Sequence, residues 1–265
     1  MKRGHDGRDD PLRVAARETR NRDFWDGWSD EYQADHGSYL DSSDEPAWGI
    51  WQIPEAELRI LGDVAGRDIL ELGCGAAQWS IKLARLGARP VGLDLSARQL
   101  DHARRLMGAA GVAFPLVHAS AEAVPLGDAL FDVVFSDWGG MSFADPARTL
   151  PEAARLLRPG GLLAFNTGTP FVELCRSLDE DHPQDRLLRD YFGLYEVDDG
   201  EVVEFIPTYG EWVRLFRQQG FVIEELLEIR PPKDAVSTYR DAADRAWSRR
   251  WPEEQLWRVR KEPAP

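Results

Sequence analysis

DILELGCGAAQWSIKLARL, residues 68–86, decides the fold. Asp68–Leu72 reads as a buried strand that runs into the turn Gly73-Cys74-Gly75. Beyond the turn, Trp79, Leu83 and Leu86 recur at i, i+4 and i+7, which draws one stripe along a helix. Strand, glycine turn and helix form the opening unit, and similar units follow it. Pro90–Asp94 is a second strand, and Ser96 caps a helix carrying Leu100, Ala103 and Met107. Val112–Val117 is a third strand and Phe131–Ser136 a fourth. A helix with Leu150, Ala153, Ala154 and Leu157 is then stopped by Arg158-Pro159-Gly160-Gly161 before a fifth strand, Leu162–Asn166. Such alternation with short connections predicts an α/β domain with a doubly wound, mostly parallel sheet covered on both faces. Ligands of such sheets bind beyond the carboxyl ends of the strands.

The alternation is embellished at both ends. Residues 1–22 are polar and arginine-rich without an apolar period, which predicts a flexible N-terminal arm or a loosely docked helix. Residues 23–54 form an aromatic cover: Phe24, Trp25, Trp28, Tyr32, Tyr39, Trp48 and Trp51 are too dense for a linker, and Phe24, Trp28 and Tyr32 lie four apart on one helical face. The main domain spans 55–261, with an insertion at 168–207 above the sheet. In that insertion Tyr191–Val197 and Glu201–Ile206 flank Asp198-Asp199-Gly200, a turn signal for an antiparallel hairpin. A helix with Trp212, Leu215 and Phe216, a strand at Phe221–Ile229 and a short last strand near Leu256–Arg260 complete the chain.

At 265 residues with 43% hydrophobic side chains the chain can bury a core, so wholesale disorder is excluded. No run approaches the ~18 apolar residues of a membrane span, and the charged N-terminus lacks the apolar segment of a secretory signal. Two cysteines, Cys74 and Cys175, cannot build a disulfide framework, which fits a reducing, cytoplasmic setting. The formal net charge of −14 opposes nucleic acid and anionic membranes as partners. The acidity concentrates at 177–204, with ten acidic and two basic side chains, which read first as solvated surface.

The chemistry centres on the glycine turn. Glycines there let a ligand approach the backbone at a helix N-terminus. Asp94 ends the next strand, twenty-one residues after Gly73, where a carboxylate accepts the two hydroxyls of a ribose. Together they point to an adenosine-containing cofactor. A dinucleotide site wants a third glycine, but that position is Gln78. Glu71, leading into the turn, would repel a pyrophosphate and suits an ammonium or a sulfonium.

ILELGCGAAQWS (69–80), VGLDLS (91–96), ASAEAVPL (119–126), FDVVFSDWG (131–139) and LLRPGGLLAFN (156–166) stand in order. With them the chain resembles the class I S-adenosylmethionine-dependent methyltransferases, in particular the small-molecule branch that includes the ubiquinone/menaquinone methyltransferases. The resemblance covers roughly residues 45–261. It implies a Rossmann-like sheet of seven strands, the last antiparallel and inserted beside its predecessor, and S-adenosylmethionine as cofactor with S-adenosylhomocysteine as product. It further implies that Gly73 and Gly75 line the methionine portion with Glu71 nearby, that Asp94 holds the ribose and that Leu95 packs on the adenine. Ser120, Ala121 and Glu122 would meet the adenine edge, and Ser136 would offer its carbonyl to the methionine ammonium. The position of Ser120 is commonly an aspartate in this family, so adenine recognition would shift toward Glu122 or backbone.

The function implied is methyl transfer to O, N or C of a small-molecule acceptor. Alternatives are a module that binds the cofactor without catalysis and a nicotinamide-dependent oxidoreductase. Asp137, directly after the fourth strand, is the best placed general base, with His36 second and Tyr39 and Tyr209 weaker. Trp79 and Trp212 fall on helix stripes and read as core, whereas Trp25, Trp28, Trp48, Trp51 and Trp138 would border the cofactor mouth. Cys74 reads as a small residue tolerated in the turn, His118 as structural, and no His, Cys and carboxylate cluster has metal-ligand spacing. The oligomeric state is not legible.

Overall fold

A computed structural model describes residues 10–177, 180 and 182–263; residues 1–9 of the expected arm, His5 among them, lie outside these. In chain order the elements are α1 (Pro11–Leu40), β1 (Ala47–Trp48), β2 (Ile53–Pro54), α2 (Glu55–Leu58), β3 (Asp68–Leu72), α3 (Gln78–Arg85), β4 (Arg89–Asp94), α4 (Ala97–Ala110) and β5 (Leu116–His118). They continue with β6 (Phe131–Asp137), α5 (Gly140–Phe143), α6 (Pro146–Leu156), β7 (Leu157–Gly168), α7 (Pro170–Cys175), β8 (Glu196–Asp198) and β9 (Val203–Phe205). The last are α8 (Tyr209–Gln218), β10 (Phe221–Ile229), α9 (Ala242–Ser248) and β11 (Glu254–Lys261).

Seven strands form one sheet in the order β10-β11-β7-β6-β3-β4-β5. The pairs β3–β4, β3–β6, β4–β5 and β6–β7 are parallel, whereas β11 is inserted antiparallel between β10 and β7. Period-two alternation sends Leu70, Leu72, Val134, Leu163 and Phe165 to one core with Trp212, Phe216 and Trp257. Ile69, Val133, Phe135, Leu162 and Ala164 point to the other face, into a core with Trp48, Ile60 and Leu83. With both faces covered, the open side of the sheet is the rim formed by the carboxyl ends of its parallel strands.

Several expectations shift. The helix expected to follow residue 23 starts at Pro11, capped by Asp10 and helped by proline in its first turn. Its buried residues are Arg17, Asn21, Ser29 and His36, so it docks through polar groups and shows no apolar period to read. The third strand is only Leu116–His118, because Pro115 has no N–H and gives just its carbonyl to Gly92. The fifth strand lengthens to Leu157–Gly168 and the last to Glu254–Lys261, since each pairs along the other. The hairpin shrinks to β8 and β9, three residues each. Trp48 and Trp51 are 0% and 4% exposed in the core and do not border the mouth. Among the described residues no helix is long and apolar enough to cross a membrane.

Candidate active site

Between α1 and the carboxyl rim of the sheet lies a cavity of about 300 Å³. Eight of the nine residues expected at the cofactor line it: Glu71, Gly73, Gly75, Asp94, Leu95, Ser120, Ala121 and Glu122. Its floor exists because two loops interlock. Gly73 has φ +74°, and a Cβ there would lie 2.4 Å from Gly140 N and 2.7 Å from Gly139 Cα. A Cβ on Gly139 would in turn meet the carbonyls of Leu72 and Gly73 at 2.5 Å. Gly75, φ +52°, has only Gln99 near it, at 3.8 Å, and opens to the cavity.

Asp94 is 8% exposed and accepts from Gly75 N at 2.7 Å and Ser96 N at 2.8 Å; burial raises its pKa. Glu71 accepts from the hydroxyl and amide of Ser80, and burial pushes it up to about 8. Asp137, also lining the cavity, accepts from Gly49 N at 3.1 Å, Trp79 Nε1 at 3.1 Å and Asn166 Nδ2 at 3.0 Å; burial carries it up to about 6. Among the described residues no basic side chain is hydrogen-bonded to any of these three carboxylates. Each is therefore a carboxyl that burial biases toward its neutral form and that a ligand cation in the cavity would favour as the carboxylate.

The structure places the other candidates as follows. Ser136 does not line the cavity, because it is fully buried in the sheet with its hydroxyl donating to Leu72 O. Glu122 lines it, yet its two carboxylate oxygens accept from Asp145 N at 2.8 Å and Arg148 Nε at 2.7 Å, anchoring the start of α6. Ser120 Oγ accepts from Glu122 N at 3.3 Å, within its own loop. His36 sits behind the wall: it is 7% exposed, stacks on Tyr239 at 4.0 Å and meets Thr238 Oγ1 at 2.8 Å, and burial lowers its pKa. Tyr39 donates to Ile50 O and Val236 O and Tyr209 to Glu228, and neither lines the cavity.

Much of the remaining wall is aromatic, with Trp25, Trp28 and Tyr32 from α1 and Trp138, Phe143, Phe205 and Tyr239, and Arg17 and Arg240 also line it. Trp79, expected in the core, lines the cavity as well. The Tyr32 and Tyr239 hydroxyls lie 2.6 Å apart. Sequence reasoning missed Gly139, Gly140, Asn166 and Glu254; the paired glycines after β6 were a usable signal, whereas Glu254 reaches the site only through strand pairing.

In the cavity floor Cys74 is buried, and desolvation keeps its thiol well above its ordinary pKa, as befits an inert residue. His118 meets Leu95 O at 2.9 Å. The structure does bring together one cluster absent from the sequence reading, His182, Asp241 and Asp244, within 4.8 Å. Asp241 and Asp244 form the capping box of α9, which accounts for the proximity of the two carboxylates.

The family described as Methyltransferase domain matches residues 70–165. An O-methyltransferase, resE, of Aspergillus sclerotiorum is 30% identical over 199 residues, 69% of this chain and 70% of that protein. A demethylmenaquinone methyltransferase of Clavibacter sepedonicus is 37% identical over 129 residues, so the chain spans 51% of its length and 48% of its own. Among solved structures, an S-adenosylmethionine-dependent methyltransferase from Mesorhizobium loti superimposes with TM-score 0.64 at 24% identity, over 84% of this chain and 100% of that one. The [4+2]-cyclase SpnF matches with TM-score 0.60 at 16% identity, over 92% and 95%. These last two identities speak for the fold alone.

The residues present fit S-adenosylmethionine. The glycine-lined floor leaves room for close approach, Asp94 closes β4 as a ribose acceptor would, and the donors to Glu71 and Asp137 among the described residues are all uncharged.

Proposed function

We infer the reaction from one premise: the chain belongs to the class I S-adenosylmethionine-dependent methyltransferases. We propose that it methylates O, N or C of a compact small-molecule acceptor. The bound cofactor supplies an already activated methyl group, delivered in a single displacement that leaves S-adenosylhomocysteine. What this chain contributes is holding, dehydration and proton handling. Asp94 holds the ribose hydroxyls, Gly73 and Gly75 admit the methionine portion, and Glu71 faces its positive end. Leu95, Ser120 and Ala121 bound the adenine, with Glu122 supporting from behind through α6.

The observation that carries this reading is the convergence on one cavity of Glu71, Asp94 and Asp137, none of them hydrogen-bonded by a basic side chain among the described residues. For the acceptor, the aromatic wall offers flat apolar faces and excludes water. The cavity of about 300 Å³ is at the low end of small-molecule pockets, ~300–1,000 Å³, and must admit the cofactor as well, which leaves room only for a compact acceptor. Asp137 is the group we assign to take the acceptor proton. His36 we assign to bracing Tyr239 in the wall. The net charge of −14 supports a small molecule over nucleic acid, in a cytoplasmic setting.

A second reading, a module that holds the cofactor without transfer, draws on the hydrogen bonds that already occupy Asp137. Calorimetric titration with S-adenosylmethionine, S-adenosylhomocysteine and NAD tests the proposal. Micromolar binding of the first two, lost in Asp94→Ala, is expected. Binding of NAD alone would convert the site to that of an oxidoreductase and end the methyltransferase proposal. Tight cofactor binding with no transfer across an acceptor panel would favour the second reading.

A further inference from the structure

Behind Asp137 lies a second buried carboxylate that the reaction above does not use. Glu254 opens β11, is 0% exposed, and stands outside the cavity lining. One of its oxygens, Oε1, accepts from Trp138 Nε1 at 2.6 Å, Asn166 Nδ2 at 2.7 Å and Ile50 N at 3.0 Å. The other, Oε2, is buried with no partner, as is Oδ1 of Asn166. The Asn166 amide nitrogen bridges the two acids, reaching Asp137 Oδ1 at 3.0 Å. Gly49 is required at this point: with φ +73°, its N–H serves Asp137, and a Cβ would sit 2.3 Å from Glu254 Oε1.

We propose that Asp137 and Glu254 act as one acidic pair that senses the charge of the bound ligand, with Glu254 as a positioning and proton-holding residue. The pair gives up a proton to solvent when a permanent cation enters the cavity and recovers one when that cation is gone. This deepens the function proposed above and rests on the cofactor reading given there.

The physical case is one of missing countercharge. Two carboxylates joined through one amide repel each other if both ionise, and the bare Oε2 has no solvent to carry charge. The groups facing the pair are Glu71 on β3, with Asp94 on β4 behind it, Tyr32 and Tyr39 on α1, and Tyr239 and Arg240 ahead of α9. Arg240 is the cation in this set, and its guanidinium is engaged by Glu253 at 2.5 Å. At rest the pair therefore holds a proton, in keeping with Glu254 being pushed up to about 7 by burial and by Asp137. A sulfonium in the cavity favours the doubly ionised pair, while the neutral thioether of the product does not. In turnover the S–CH3 bond breaks as the bond to the acceptor forms, and the acceptor's proton returns the pair to its resting state, so charge balances.

The test compares S-adenosylmethionine with S-adenosylhomocysteine, which differ in the sulfonium charge. Calorimetry in buffers of different ionisation enthalpy counts the protons released by each. The proposal expects more released by the sulfonium, and an affinity ratio over the thioether that grows about fivefold or more from pH 6 to pH 8 if the cation moves one such carboxyl from about 7 to about 6. In Glu254→Gln, which keeps the acceptor oxygen, that growth falls by about the same factor. Equal proton release by the two ligands in the unmutated protein overturns the proposal without any variant. An unchanged difference in Glu254→Gln overturns the part assigned to Glu254. If neither ligand binds, the cofactor reading itself fails, which is a separate result.

Discussion

Replacing Gly73 and Gly75 one at a time by alanine separates what the turn does for folding from what it does for the ligand. At Gly73 two costs add. The backbone has φ +74°, where an L side chain costs ~1–2 kcal/mol. The new Cβ would also lie 2.4 Å from Gly140 N, a backbone atom of an interlocked loop that cannot swing away, which adds ~1–3 kcal/mol of overpacking. Gly73→Ala should therefore lose about 2–5 kcal/mol, a large share of a domain's usual stability of ~5–15 kcal/mol. At Gly75 only the first cost applies, about 1 kcal/mol at φ +52°, because the nearest atom is Gln99 Oε1 at 3.8 Å. Its methyl group instead projects where the ligand backbone must approach. Urea unfolding and calorimetric titration with S-adenosylmethionine should split the pair: Gly73→Ala strongly destabilised, Gly75→Ala nearly as stable as the parent but at least about tenfold weaker in binding. A Gly73→Ala protein of parental stability would refute the interlocking of the two loops. Unchanged affinity in Gly75→Ala would remove Gly75 from the cofactor floor.

Two further outcomes follow from charge. Arg17, 6% exposed, pairs with Asp145 at 3.2 Å and Glu196 at 2.8 Å and lies over the Phe205 ring, so Arg17→Ala should cost about 3 kcal/mol in urea unfolding. The half-exposed pair of Arg20 with Asp198 should give under about 1 kcal/mol on Arg20→Ala, and equal losses at the two sites would contradict the burial argument. Glu71, Glu254 and Asp137 are raised to about 8, 7 and 6, so the stability they contribute is complete below their ordinary values and is lost as pH climbs through those three. Scanning calorimetry of the ligand-free protein should show Tm falling from pH 5 to pH 8.5; a rising Tm would mean that these acids are ionised at rest.

The unit β3, turn and α3 was open to reading because its signals are local: an apolar run, glycines at positive φ, and a stripe at helical spacing. Asp94 followed from the length of one strand–helix–strand unit. Where the information is non-local, the residues alone were silent. The insertion of β11 between β10 and β7 came from family resemblance, because antiparallel pairing leaves no mark on either strand's own pattern. Glu254 and Asn166 lie 88 positions apart and meet only through that pairing. The start of α1 was missed because its inner face carries Arg17, Asn21, Ser29 and His36 in place of apolar groups. Aromatic density did not say which way a ring points, so Trp48 and Trp51 were assigned to the mouth and found in the core. Glu122 lines the cavity, but its carboxylate answers to Arg148 and α6.

The polar docking of α1 gives the cavity a timescale. This helix is the roof, and it is fastened at intervals: Arg13 and Arg17 to Glu196, Asn21 to Phe143 O and Val203, Asp26 to Ser96, and Asp30 to Arg98 and His102. A roof glued by apolar area would open at a cost indifferent to salt. One fastened by ion pairs and single hydrogen bonds loosens piecewise as ionic strength rises, with the outer pairs going first. If release requires this helix to lift, residence time in the chamber should shorten as the electrolyte around the protein becomes more concentrated.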